Sequence, residues 1–107
     1  MRKIESLMCQ AIANNQDWRL ANTKVVNTSE GYSHVYLHNN HIATVKANSA
    51  LLFDGGWQTV TTKSRLNAIL DGLGQFSVGV FQQNWCWFVN TPRGGTEPFY
   101  DGFEIAW

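Results

Sequence analysis

Leu66, Ile69, Leu70 and Leu73 stand three and four residues apart near the middle of the chain, the spacing of one apolar stripe on an α-helix. Whatever else the chain does, it must build a surface that covers this stripe. Thr61 and Thr62 precede it as candidate N-caps, since a threonine oxygen can accept from the unpaired N–H groups of a first turn. Gly72 or Gly74 supplies the stop, because glycine tolerates the left-handed conformation that ends many helices. The pattern predicts a helix from Thr62 to about Asp71, entered through the Asp54-Gly55-Gly56 loop and Trp57.

The start of this helix has unusual chemistry. A first turn normally favours carboxylates, which complement the partial positive charge of the helix end. Here it carries Lys63, Ser64 and Arg65 and no acid. Backbone N–H groups, the hydroxyls of Thr59, Thr61, Thr62 and Ser64, and two cations converge on one helix end, as in a phosphate site. Trp57, just upstream, would offer a ring for stacking. The plainer alternative is that the threonines only cap while Lys63 and Arg65 sit in water; the sequence leaves both open.

The flanking segments define the fold class. Ile4, Leu7, Met8, Ala11 and Ile12 predict an amphipathic helix from Arg2 to about Ala13. Thr23–Asn27 is a strand. Tyr32–His38 and His41–Lys46 form a hairpin on Asn39-Asn40, because asparagine tolerates the positive φ of a two-residue turn. Ala50–Phe53 is a further strand. Ser77–Gln82 and Trp85–Asn90 form a second hairpin on Gln83-Asn84, with Val78, Val80, Gln82, Trp85, Trp87 and Val89 on one face and Gly79, Phe81, Cys86 and Phe88 on the other. Pro98 restricts its segment to a sheet edge, and Phe103–Trp107 is a last strand. The expectation is a single α+β domain over residues 1–107, an antiparallel sheet of hairpins with two helices in the order α-β-β-β-β-α-β-β-(β).

Composition narrows the function. Eight cations balance eight anions, which argues against a general DNA coater, a role that needs many phosphates neutralised. Cys9 and Cys86 are distant from each other and follow no secretion signal, so they are expected as reduced thiols of a cytosolic protein. No apolar run approaches the ~20 residues that span a bilayer, so no membrane partner is expected. His34 and His38 would lie roughly 13 Å apart on a strand; only His38 and His41 could meet, with no thiol or carboxylate beside them, so no metal is expected. The chain has neither a Gly-x-Ser-x-Gly elbow nor a phosphate loop with its Lys-Ser/Thr ending; neither enzyme activity nor a cofactor is expected. Five tryptophans are many for 107 residues, and Trp85 and Trp87 are the candidates for a protein interface.

The order of helix, antiparallel strands and helix is similar to the double-stranded RNA-binding domain, whose last helix presents lysines to phosphates at its start. That is an analogy of fold alone. Over nearly its full length, the chain resembles small proteins of tailed bacteriophages, many of them T7-like, through MRKIESLMCQAI, VYLHNNHIA, GGWQTVTTKSRLNAIL and VFQQNWCWFV. The resemblance implies an accessory protein made in the cytoplasm of a bacterial host, and it carries no activity with it. Two functions are therefore expected: binding a phosphate of nucleic acid or nucleotide through Trp57, Thr59, Thr61, Thr62, Lys63, Ser64 and Arg65, or inhibiting a host protein through an aromatic surface.

Overall fold

In the computed structural model, which describes all 107 residues, helix α1 spans Lys3–Ala13 and buries Glu5, Met8, Ala11 and Ile12. Its start is fixed by the Arg2 N–H, which donates to Glu5 Oε1 at 3.2 Å. Five strands follow: β1 (Trp18–Leu20), β2 (Thr23–Asn27), β3 (Ser33–Leu37), β4 (Asn40–Val45) and β5 (Ser49–Leu52). Helix α2 (Val60–Gly72) comes next, then β6 (Gly79–Gln83), β7 (Cys86–Asn90), β8 (Thr96–Pro98) and β9 (Phe103–Ala106). The architecture is the expected α+β. The strands, however, divide into two antiparallel sheets, a six-stranded one ordered β1-β2-β3-β4-β5-β9 and a three-stranded one ordered β6-β7-β8.

One face of the larger sheet is the floor of the core. Val25, Val35, Leu37, Ala43, Val45, Ala50, Leu52, Phe103 and Ile105 alternate inward and are buried, and Met8 and Ile12 of α1 and Leu66, Ile69 and Leu70 of α2 complete the same cluster. The smaller sheet adds Val80, Trp87 and Val89 to it. Its link to α2 is polar: the Asn67 amide brackets one residue of β6, donating to Val80 O at 3.0 Å and accepting from Val80 N at 2.7 Å.

Several local expectations shift. The helix starts earlier than expected, because Thr59 takes the extended cap conformation and its Oγ1 accepts from Thr62 N at 3.1 Å; Thr61 and Thr62 lie inside the first turn. Its end is a Schellman motif on Gly74 (φ +79), with Gly74 N donating to Asp71 O and Gln75 N to Leu70 O. Both hairpins turn one residue away from the expected position. β3–β4 turns on His38-Asn39 and β6–β7 on Asn84-Trp85, all four residues at positive φ. A bulge after Val35 lets Ile42 and Ala43 both point inward. β1 lies in a stretch for which the sequence predicts no element; it pairs with β2 through a two-residue turn containing Ala21 at φ +52.

The two helices pack closely where Gly72 faces Cys9. A methyl group at Gly72 would stand 2.7 Å from Cys9 Sγ and 3.1 Å from its Cβ. Gly72→Ala should therefore destabilise the protein by about 1–3 kcal/mol, although alanine is the better helix former. In urea unfolding, most of that loss should disappear when Cys9→Ala is made as well.

Candidate functional site

Arg65 is not at the surface. It occupies a stripe position of α2, one turn after Thr62 and one before Ile69, and is 3% exposed. Its Nη1 donates to Glu5 Oε2 of α1 at 2.9 Å, its Nε to Thr23 Oγ1 at 3.0 Å and its Nη2 to Asn22 Oδ1 at 3.3 Å. Ser64 Oγ donates to the same Glu5 oxygen at 2.5 Å. Burial by itself would raise the Glu5 carboxyl, but hydrogen bonds from Ser64, the Arg2 N–H and Arg65, together with the Arg65 charge, outweigh it and hold the group below its usual range. Arg65 and Ser64 are thus committed to joining α1, α2 and β2. They do not form part of a phosphate site.

Of the other residues expected there, Lys63 turns sideways and its Nζ reaches Gln82 Oε1 at 3.4 Å. Thr59 Oγ1 and Thr62 Oγ1 are 2.9 Å apart and bond each other. What remains at the helix start is an open cleft of about 310 Å³ with Leu37 and Ile42 at its base and Asp54, Gly55, Trp57, Thr59, Thr61 and Thr62 along one side. His38 of the β3–β4 turn and Asn40 at the start of β4 also line the cleft. The loop that carries Trp57 is tied down by Asp54, whose Oδ1 accepts from Gly56 N at 2.8 Å and whose own N–H donates to Asp101 Oδ1 at 2.9 Å. Trp57 itself projects outward and is 71% exposed.

The two interface tryptophans separate completely. Trp87 is 3% exposed and packs edge-on against Phe99 at 5.3 Å, so it belongs to the core and not to an interface. Trp85 occupies the tip of the β6–β7 turn at φ +67 and is 90% exposed. The alternation of β7 predicts the burial of Trp87, whereas Trp85 is freed by the displaced turn.

Helix α2 is tied to β6 at two places. Asn67 holds Val80 and Lys63 reaches Gln82, so one turn of helix, roughly 6 Å, matches two residues of strand, roughly 7 Å. Towards its start, α2 thus runs along β6 in the direction of the Asn84-Trp85 turn. Val60 is 70% exposed. Three large apolar side chains, Trp57, Val60 and Trp85, stand in water, and Trp57 is one of the residues that line the cleft.

Cys9, His34 and His41 have structural partners. Burial, reinforced by a Glu5 and an Asp71 charge, pushes the Cys9 thiol up to about 11, and its Sγ donates to Ala68 O at 3.3 Å. His34 and His41, rather than His38 and His41, come together, each 2.8 Å from Thr44 Oγ1. Burial, aided by His34, pulls His41 below its usual value against a smaller opposing effect of the Ala43 backbone.

Two predictions follow from these groups. Removing one partner of the buried pair, by Arg65→Ala or Glu5→Ala, should cost about 3–5 kcal/mol in urea unfolding, and the joint replacement Glu5→Leu with Arg65→Met should recover much of it. Acidification should weaken the fold in two stages. Below about pH 6.5 the unfolded chain protonates His41 while the folded protein resists; below about pH 4.5 the same holds for Glu5. In both cases the unfolded state binds more protons, so stability falls with pH, and His41→Gln should remove its contribution to the first stage of the unfolding profile.

A protein-family model described as Kyanoviridae Gp96 protein matches residues 1–106 of the chain. No curated protein and no solved structure matches it. The family match supports a phage protein, the broader part of the sequence resemblance, and does not extend to the T7-like group.

Proposed function

Because the chain belongs to the Kyanoviridae Gp96 protein family, a family of phage proteins, we propose that it is a non-enzymatic accessory protein acting in the host cytoplasm by binding another protein. The contact residues are the exposed apolar side chains Trp57, Val60 and Trp85. The carrying observation is Trp85, whose indole is 90% exposed on a backbone conformation that favours glycine. A bulky residue at positive φ costs roughly 1–2 kcal/mol, and the second position of such a turn is ordinarily glycine. An exposed, strained tryptophan contributes nothing visible to the fold, and exposed aromatics of this kind anchor protein interfaces.

The phosphate-binding reading is the weaker one, because Arg65 and Ser64 are engaged by Glu5 and only Lys63 is left as a cation at the helix start. Binding without catalysis accords with a Cys9 thiol that ionises only at about 11 and with histidines tied to Thr44. No helix is long and apolar enough to cross a membrane.

Trp85→Gly separates fold from function. It should leave stability unchanged or raise it by up to about 1 kcal/mol, while weakening capture of the partner from host lysate by roughly 30-fold or more, as loss of an interface anchor does. Trp57→Ala should act in the same direction, and Lys63→Ala should have little effect. Capture of the same protein, at the same strength, by the Trp57→Ala/Trp85→Gly double variant would refute the proposal.

A further inference from the structure

The face of the six-stranded sheet that points away from the helices carries a different chemistry from the exposed Trp57, Val60 and Trp85. Strand alternation sends Tyr36 and His34 outward from β3, with Tyr32 just before it, in one column with steps of roughly 7 Å. Two cations are already seated on this column. Lys24 Nζ lies 4.9 Å from the centre of the Tyr36 ring and Lys46 Nζ lies 5.4 Å from that of Tyr32, so one lysine stands at each end. His41, which pairs with Tyr36 across β3–β4, extends the rings sideways. Its centroid is 5.4 Å from His34, 5.5 Å from Tyr36 and 4.5 Å from Phe53.

Charge on this face departs from the balance of the whole chain. The pairing Arg19↔Lys24↔Tyr36 places Arg19 outward in the same row as Lys24. Three cations, Arg19, Lys24 and Lys46, thus share the face. Among strand positions the face has one carboxylate, Glu104 on β9 at the opposite edge, reached through Val26↔His34↔Thr44↔Leu51↔Glu104. Outside the strands, as Lys46 is, Glu30 lines one hollow with Tyr32 and Lys46. The pulled-down His41 keeps a neutral ring at pH 7, suited to stacking.

We propose that this open sheet face binds a single-stranded nucleic acid along β3, with Tyr32, His34 and Tyr36 stacking on successive unpaired bases and Arg19, Lys24 and Lys46 meeting phosphates. Rings spaced along an extended strand match the bases of an unpaired chain, whose faces are free, and not those of a duplex, whose faces are already stacked. The lysines need only swing from ring to phosphate, leaving the ring to the base. The site is separate from the protein-binding residues and does not depend on them.

The test is a fluorescence anisotropy titration of the full chain with a labelled twelve-nucleotide oligothymidylate at low salt. Binding should weaken as salt rises, with a log–log slope of about −2, as three phosphate contacts on a single strand predict. Tyr36→Ala should weaken it about tenfold, Tyr36→Phe should preserve it, and Lys24→Gln with Lys46→Gln should flatten the salt slope. Thermal unfolding of each variant checks that the sheet is intact. No anisotropy change with either oligothymidylate or oligouridylate would overturn the proposal, as would equal affinity for a duplex of the same length. Loss of oligonucleotide binding in Trp57→Ala but not in Tyr36→Ala would overturn it too, by moving the site to the helix end.

Discussion

The Glu5–Arg65 pair is the contact that ties α1, α2 and one edge of the larger sheet together. Both charges are almost wholly removed from water, so neither could remain there without the other. Between them they recruit Ser64 of α2, the Arg2 N–H at the start of α1, and Asn22 and Thr23 at the entry to β2. Two helices and a sheet edge are thereby fixed relative to one another by directional bonds. The apolar stripes of Met8, Ile12, Leu66 and Ile69 could slide or rotate over one another at modest cost; a buried guanidinium with three fixed acceptors cannot. The pair also removes from solvent the charge that gave the helix start its electropositive aspect.

Much of this fold was legible in the sequence, and the parts that were not have physical explanations. Helix stripes and strand alternation report burial, so α1, α2 and the inward set of Val80, Trp87 and Val89 follow from spacing. That set survives even though the β6–β7 turn moved by one residue, because the shift moves both partners and leaves each on its original face. Trp85 does not survive it: whether a tryptophan ends a strand or tops a turn depends on one residue of register. β1 was hidden because three residues show no period, and because Ala21 is not a residue expected at positive φ.

Arg65 is the most instructive case. A cation in a helical first turn has the same local sequence whether it faces water or a carboxylate sixty positions away. A signal did exist: Glu5 stands three residues before Met8 and Arg65 four before Ile69, each at a core-facing position of its own helix. Opposite charges that interrupt two apolar stripes are candidates for one another. The candidate site was half legible for the same reason. Trp57, Thr59 and Thr61 border a cleft as neighbours in sequence must, whereas the fate of Ser64 and Arg65 was decided by α1.

The position of β9 bears on how the molecule is made. The larger sheet runs through five consecutive neighbours and then takes its sixth strand from the far end of the chain, with Ala50 opposite Ile105 and Leu52 opposite Phe103. Loops of that length close slowly. On a translating ribosome, β5 must wait with a bare flank until Phe103–Ala106 emerges, and during that interval its unpaired amides and carbonyls are open to any other extended chain. In a crowded cell, β9 is thus the guard of the β5 edge against misassembly.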